Sequence, residues 1–140
     1  MKVVLDTNVI VAAFATRGLC TELFEVCLIK CKIVLSEYIL SEVAEKLVNK
    51  IHLPRIVVQE IIQFLKEHAQ IVMPEVIEES ICKDKEDIPI IGTALGGDAH
   101  FLITGDKNLL SLREYKNIEV IFPREFWEWL RGESAKINLS

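Results

Sequence analysis

The sequence predicts an α/β domain on a mainly parallel sheet, and three observations carry that reading. Short apolar runs, VVL at 3–5, IVL at 33–35 and FLI at 101–103, fit strands covered on both faces. Between them lie stretches whose apolar residues recur at helical spacing. No internal repeat or low-complexity linker interrupts the alternation, which is the pattern of a sheet flanked by helices. A chain of 140 residues is long enough to bury a substantial core as one domain.

In chain order, Lys2 to Leu5 reads as the first strand and Val9 to Ala15 as a short helix ending near Gly18. Thr21 to Lys30 is helical, with Leu23, Phe24, Cys27 and Leu28 on one stripe. Ile33 to Leu35 is a second strand. Ser36 caps a strong helix to about Asn49, carrying Ile39, Val43 and Leu47 at i,i+4 steps. A further helix spans Val57 to His68, and a third strand, Ile71 to Met73, stops at Pro74. The acidic stretch Glu75 to Asp87 is weakly patterned and reads as a turn or short helix. The next helix starts near Ile88 with Pro89 in its first turn, where a missing N–H costs little, and stops at Gly96 and Gly97. Phe101 to Ile103 is a fourth strand, Leu109 to Leu112 a short helix and Glu119 to Phe122 a fifth strand. Pro123 begins a last amphipathic helix. Residues 1–131 thus form one domain, and 132–140 read as a frayed tail.

Composition bounds the function. Charged residues are 26% and hydrophobic residues 51% of the chain, as in a folded globular protein. No apolar run approaches a membrane span. The N-terminus offers Lys2 and then a strand rather than a signal-peptide layout, so a cytoplasmic protein is expected. The net charge of −5 argues against a generally basic nucleic-acid binder, although local distribution matters more than the sum. Cys20, Cys27, Cys31 and Cys82 include no C-x-x-C pair and no zinc-site spacing, and read as buried thiols acting as small hydrophobes.

The candidate chemistry lies where strands end. In open parallel sheets ligands sit outside the carboxyl ends of the strands, and two strands deliver an acid there: VVLD with Asp6, and FLIT-GD with Asp106. Asp87 lies at the N-terminal edge of a helix, where capping alone could explain it. On the Ser36–Asn49 helix, Glu42 falls ~60° outside Ile39, at the border of the apolar arc, while Glu45 falls ~120° outside. Clustered acids repel one another, and hard divalent cations resolve that conflict: carboxylate oxygens suit Mg²⁺ or Mn²⁺. Such sites serve attack of a metal-activated water on a phosphoryl group.

With these motifs in place, the sequence resembles the PIN-domain family of metal-dependent nucleases, especially the VapC-like toxin components of toxin–antitoxin operons. The opening DTNV matches the family's first motif through Asp6. LSEYILSEVAEKL places its glutamate on Glu42, KDKEDIPIIGTAL its third acid on Asp87, and HFLITGDKNLL its fourth on Asp106, with the motif's hydroxyl on Thr104. The resemblance implies a three-layer α/β/α fold with a four- or five-stranded sheet and a Mg²⁺ or Mn²⁺ pocket built from those four acids. It further implies cleavage of single-stranded RNA, homodimerisation and inhibition by an antitoxin. Thr7, Asn8, Asp84, Thr104 and Asn108 are read as groups that orient the ligands or their waters. Asn108 stands where relatives often carry another Asp, so it brings a carbonyl but no charge.

Two other readings are weaker. A haloacid-dehalogenase-like phosphatase would need a second acid two residues after Asp6, and Asn8 cannot act as one. A catalytically weak PIN fold retained as an RNA- or protein-binding module has Asn108 and the acidic balance in its favour, and retention of all four acids weighs against it. Lys46, Lys83, Lys85 and Lys107 are candidates for backbone phosphate contacts. Trp127 and Trp129 fit core or dimer packing better than base stacking.

Overall fold

The computed structural model describes the backbone of residues 1–139 and the side chains through Gly132. The elements run β1 (Lys2–Leu5), α1 (Thr7–Ala15), α2 (Leu19–Lys30), β2 (Lys32–Leu35), α3 (Glu37–Asn49), α4 (Arg55–His68) and β3 (Gln70–Ile71). Two 3-10 turns, Glu79–Ile81 and Lys85–Asp87, then lead into α5 (Ile88–Gly96). After it come β4 (Phe101–Ile103), α6 (Lys107–Leu110), β5 (Glu114–Tyr115), β6 (Ile118–Ile121) and α7 (Pro123–Leu139). None of the described helices is long and apolar enough to cross a membrane.

The sheet order is β3-β2-β1-β4-β6-β5, parallel throughout except for the β5–β6 pair. Val3 and Val4 of β1 are wholly buried between neighbours on both sides, Ile33 and Val34 of β2 and Phe101 and Leu102 of β4. Val3 and Val4 point to opposite faces of the sheet and both are covered, which is why those runs are apolar on both faces. Helix α5 packs against β1, β2 and β4, while α1 packs against α2 and α3. The chain leaves β1 towards β2 on one side and later returns to place β4 on the other. The switch point of this doubly wound topology therefore lies between β1 and β4, where a crevice opens beyond the strand ends.

All five expected strands form, and the expected four- or five-stranded sheet gains a sixth. The addition, β5, is a two-residue strand joined to β6 through Lys116 and Asn117, with Lys116 in the left-handed region at φ 54°. No glycine marks that turn and the strands are short, so the hairpin had no sequence signal. Helices α1 and α6 begin at Thr7 and Lys107, earlier than their apolar patterns, because Asp6 and Asp106 sit at their N-caps. Of the four thiols only Cys27 is fully buried; Cys20, Cys31 and Cys82 are half-buried, so the small-hydrophobe reading fits Cys27 alone. Helix α7 continues in backbone to Leu139, past Gly132 where the sequence suggests a frayed tail.

Strand β3 is shorter than expected because the chain turns off the sheet edge to cross α5. Glu75 N donates to Gly92 O at 2.9 Å, and the carbonyls of Met73 and Glu75 lie against Gly96 and Gly92. Gly96 is thus more than a stop signal: with Gly92, one turn earlier, it forms a bare face on which another backbone rests. In an open helix Gly→Ala stabilises by about 0.5–1 kcal/mol. Here a Cβ on Gly92 would stand 2.5 Å from Glu75 O, so Gly92→Ala should destabilise the protein by about 1–3 kcal/mol. The midpoint of urea denaturation checks this, and an unchanged or higher midpoint would show that the crossing is looser than described.

Candidate active site

At the switch point, Asp6 ends β1 and caps α1 at once. Its backbone N–H donates to Ile103 O across to β4 (3.0 Å), and its Oδ1 accepts from Thr7 N at 2.7 Å. Its Oδ2 accepts from the Thr104 hydroxyl at 2.7 Å. Thr104 is fully buried, and its hydroxyl oxygen in turn accepts from Asp106 N at 3.0 Å. One hydroxyl therefore fixes the side chain of the first acid and the backbone of the second. Asp106 Oδ1 accepts from Asn108 N at 2.8 Å, so Asn108 supports the site through its backbone. Its side chain is exposed and is not part of the cleft wall.

Thr7, also buried, donates from its hydroxyl to Glu42 Oε1 at 2.9 Å, and Lys46 Nζ donates to Asn8 Oδ1 at 2.9 Å. Helix α3 thereby presents Glu42 and Lys46, one turn apart, to the strand-end acids. Its N-terminus is set by Ser36, whose Oγ accepts from Ile39 N and shares a 2.8 Å hydrogen bond with the Thr93 hydroxyl of α5. Glu45 is exposed and stays outside.

The resulting cleft, of about 180 Å³, is walled by Asp6, Thr7, Asn8, Glu42, Lys46, Asp84, Glu86, Asp87, Ile90 and Asp106. Asp84 caps the turn beneath it, accepting from Glu86 N at 3.0 Å. Lys83, Lys85 and Lys107 are exposed and lie outside the wall. Sequence reasoning missed Glu86, which sits in an unpatterned stretch, and Tyr38, whose hydroxyl donates to Glu86 O at 3.3 Å. Burial, and then the Glu42 and Glu86 carboxylates, push the Tyr38 hydroxyl up to about 12. Its spacing of one turn before Glu42 was the available signal.

Asp87 is the anomaly of the site. It stands at the N-cap of α5 yet makes no capping hydrogen bond, so capping does not explain it. It is only 7% exposed, and its Oδ2 has no partner. A buried polar atom left unpaired is costly. Burial first, then Asp106, Asp6 and Asp84, push its carboxyl up to about 7, and a hydrogen bond with the Asp106 carboxylate helps hold the proton. Asp6 is raised too, by burial; the Thr104 and Thr7 hydrogen bonds oppose the shift and the Asp106 and Glu42 charges add to it. Among the described residues no three acids close on one coordinating point, as expected of like charges facing one another across a cleft. The donor set is nevertheless all hard oxygen, which fits Mg²⁺ or Mn²⁺ and no softer metal.

A model of the PIN domain matches residues 2–108, a span that holds every acid of the cleft. The chain belongs to the PIN-domain family. PIN domains are generally nucleases and typically use divalent metals. Among solved structures, this PIN domain is similar in fold to a chain of VapBC2 from Rickettsia felis bound to a DNA fragment from their promoter. The TM-score is 0.59 at 14% identity, covering 87% of this chain and 98% of that one. A search of curated proteins gave no match.

The raised acids make stability pH-dependent, with a definite sign. Between 3.8 and about 7, Asp87 of the folded metal-free protein holds a proton that the unfolded chain has released. Stability is therefore lost as pH rises through that window. Melting of the metal-free protein should fall between pH 5 and pH 7.5 by about 4 °C or more, roughly what 1 kcal/mol does in a domain of this size. Asp87→Asn should flatten the dependence. Equal slopes for the two proteins would mean that Asp87 ionises freely.

Proposed function

We propose that this PIN domain is a metal-dependent endoribonuclease that cleaves single-stranded RNA, the toxin member of a toxin–antitoxin pair. The observation that carries the reading is the buried, unpartnered Asp87 oxygen in a cleft walled by Asp6, Glu42 and Asp106. These four side chains would hold Mg²⁺ or Mn²⁺. Such an ion, when bound, supplies an activated water and offsets the charge that would otherwise repel phosphate.

The chain's own residues do the positioning. Thr104 holds Asp6 and Asp106 in register across two strands, and Thr7 aims Glu42. Lys46, tethered by Asn8, is the one cation among the described wall residues and offers its ammonium to a phosphate oxygen. Lys83, Lys85 and Lys107 act further out, on the backbone of a longer RNA. The cleft's small volume suits a phosphoryl group with its ions and waters. The structural neighbour's title names a VapBC2 complex, which supports an antitoxin partner here. An Arg or Lys from that partner would pair with the carboxylates and block the cleft. The reading includes a homodimer acting in the cytoplasm.

Asp6→Asn preserves shape while removing one ligand charge. RNA cleavage in Mn²⁺ should fall by about 100-fold or more, beyond the 10- to 100-fold carried by groups that merely support a ligand. Melting without metal should hold or rise as repulsion is relieved. Equal cleavage by the two proteins would mean the activity is not this protein's. Co-expression with the adjacent gene's product should yield an inactive complex whose cleavage returns when the partner is removed. Full activity with nothing bound would exclude control by occlusion.

A further inference from the structure

The acidic cleft, at about 180 Å³, holds a phosphoryl group and ions but leaves no room for a nucleobase. At the C-terminal end of β6 lies a groove of about 580 Å³, walled by Leu110, Arg113, Glu119, Phe122 and Glu125, among others. Its volume lies within the range of small-molecule sites. Phe122 is the groove residue that approaches the cleft, through Gly105. It follows the last residue of β6 at the C-terminal edge of the sheet, and it is 40% exposed, an unusual position for an aromatic ring. A Cβ on Gly105 would lie 3.9 Å from Phe122 Cε1, so the ring rests beside the residue that separates Thr104 from Asp106. Its backbone is pinned, because Phe122 O accepts from Phe126 N at 3.0 Å.

The charges of the groove are arranged unevenly. Arg113 sits at φ 58° with its carbonyl accepting from Val120 N at 2.8 Å, and it makes no ion pair among the described residues. Glu119 and Glu125 supply acceptors but no site for phosphate. A nucleobase has both an apolar face for the ring and amino groups for the carboxylates, whereas its backbone needs the guanidinium.

We propose that this groove is a nucleobase subsite: the base next to the cleaved phosphodiester of a single-stranded RNA stacks on Phe122, and Arg113 meets a phosphate of that strand. The proposal rests on the ribonuclease reading and assigns it a second contact point, at Phe122 beside Gly105, the residue before Asp106. It also explains why the two tryptophans are not needed for stacking. Trp129 is spent on Phe101 and Phe126, at ring-centroid distances of 5.0 and 5.8 Å, and Trp127 packs against the core.

The test uses the full chain with a short single-stranded RNA carrying one 2-aminopurine, whose fluorescence is quenched by stacking and is read on mixing by stopped flow. Phe122→Ala should lose the quench and weaken RNA binding about 5- to 150-fold, the range for one stacked base. Phe122→Trp should restore both. Arg113→Ala should lower the slope of log K against log salt by about 0.7. Cleavage of the same RNA in Mn²⁺ reads the nuclease separately from the stacking. RNA binding and quenching unchanged in Phe122→Ala, or no RNA binding by the wild type, would overturn the subsite. If the wild type leaves this RNA uncleaved in Mn²⁺ while the quench still depends on Phe122, the nuclease reading fails and the subsite stands.

Discussion

The hydroxyl of Thr104 is the hinge of this molecule's chemistry. A strand buried on both faces cannot end in a carboxylate unless something within the protein holds the charge. Thr104 donates to Asp6 Oδ2 and accepts from Asp106 N, bonding residues 98 apart in sequence at the ends of adjacent parallel strands. Because β1 and β4 are paired directly, Val4 opposite Leu102 and Leu5 opposite Ile103, that short hydrogen bond needs no loop to reach it. The position of the site is therefore a consequence of strand order. Any other neighbour for β1 would have left Asp6 without its partner.

Around this bond the acids of the cleft other than the exposed Glu86 fall into two kinds. Asp6, Asp84, Glu42 and Asp106 each accept at least one hydrogen bond from a named donor. Asp87 receives none from a backbone or hydroxyl donor and leaves one oxygen unpaired. The two kinds are complementary: the satisfied acids are fixed in place before any ligand arrives, while the unsatisfied one supplies the driving force for a ligand with positive charge. Lys46 supplies only a single positive charge to the wall, and Asn8 already claims it.

Much of this was legible in the sequence, and the reasons are local. VVLD and FLIT-GD announced themselves because buried strands rarely end in acids, and the angular position of Glu42 separated it from Glu45 by helix geometry alone. The Asp87 carboxylate was harder, since a helix cap explains the same residue; only its failure to make the capping bond removes that explanation. Glu86 lies in a turn that no periodicity marks, whereas Tyr38, one turn before Glu42 on α3, had helical spacing as its signal. The β5–β6 hairpin was invisible for lack of a turn glycine. Phe122 read simply as the end of a strand, because its exposure depends on the sheet stopping at β5 and leaving the far end of β6 uncovered.

The central claim is that the carboxylates around Asp87 bind a divalent cation, and anomalous diffraction from crystals soaked in Mn²⁺ tests it most directly. The account predicts an anomalous peak within the cleft, in coordinating contact with Asp87 and with Asp6 or Asp106. That peak should be lost from crystals of Asp87→Asn that keep the same fold. Crystals of the wild-type protein with no peak in the cleft, or with Mn²⁺ bound only at acids elsewhere on the surface, would contradict it.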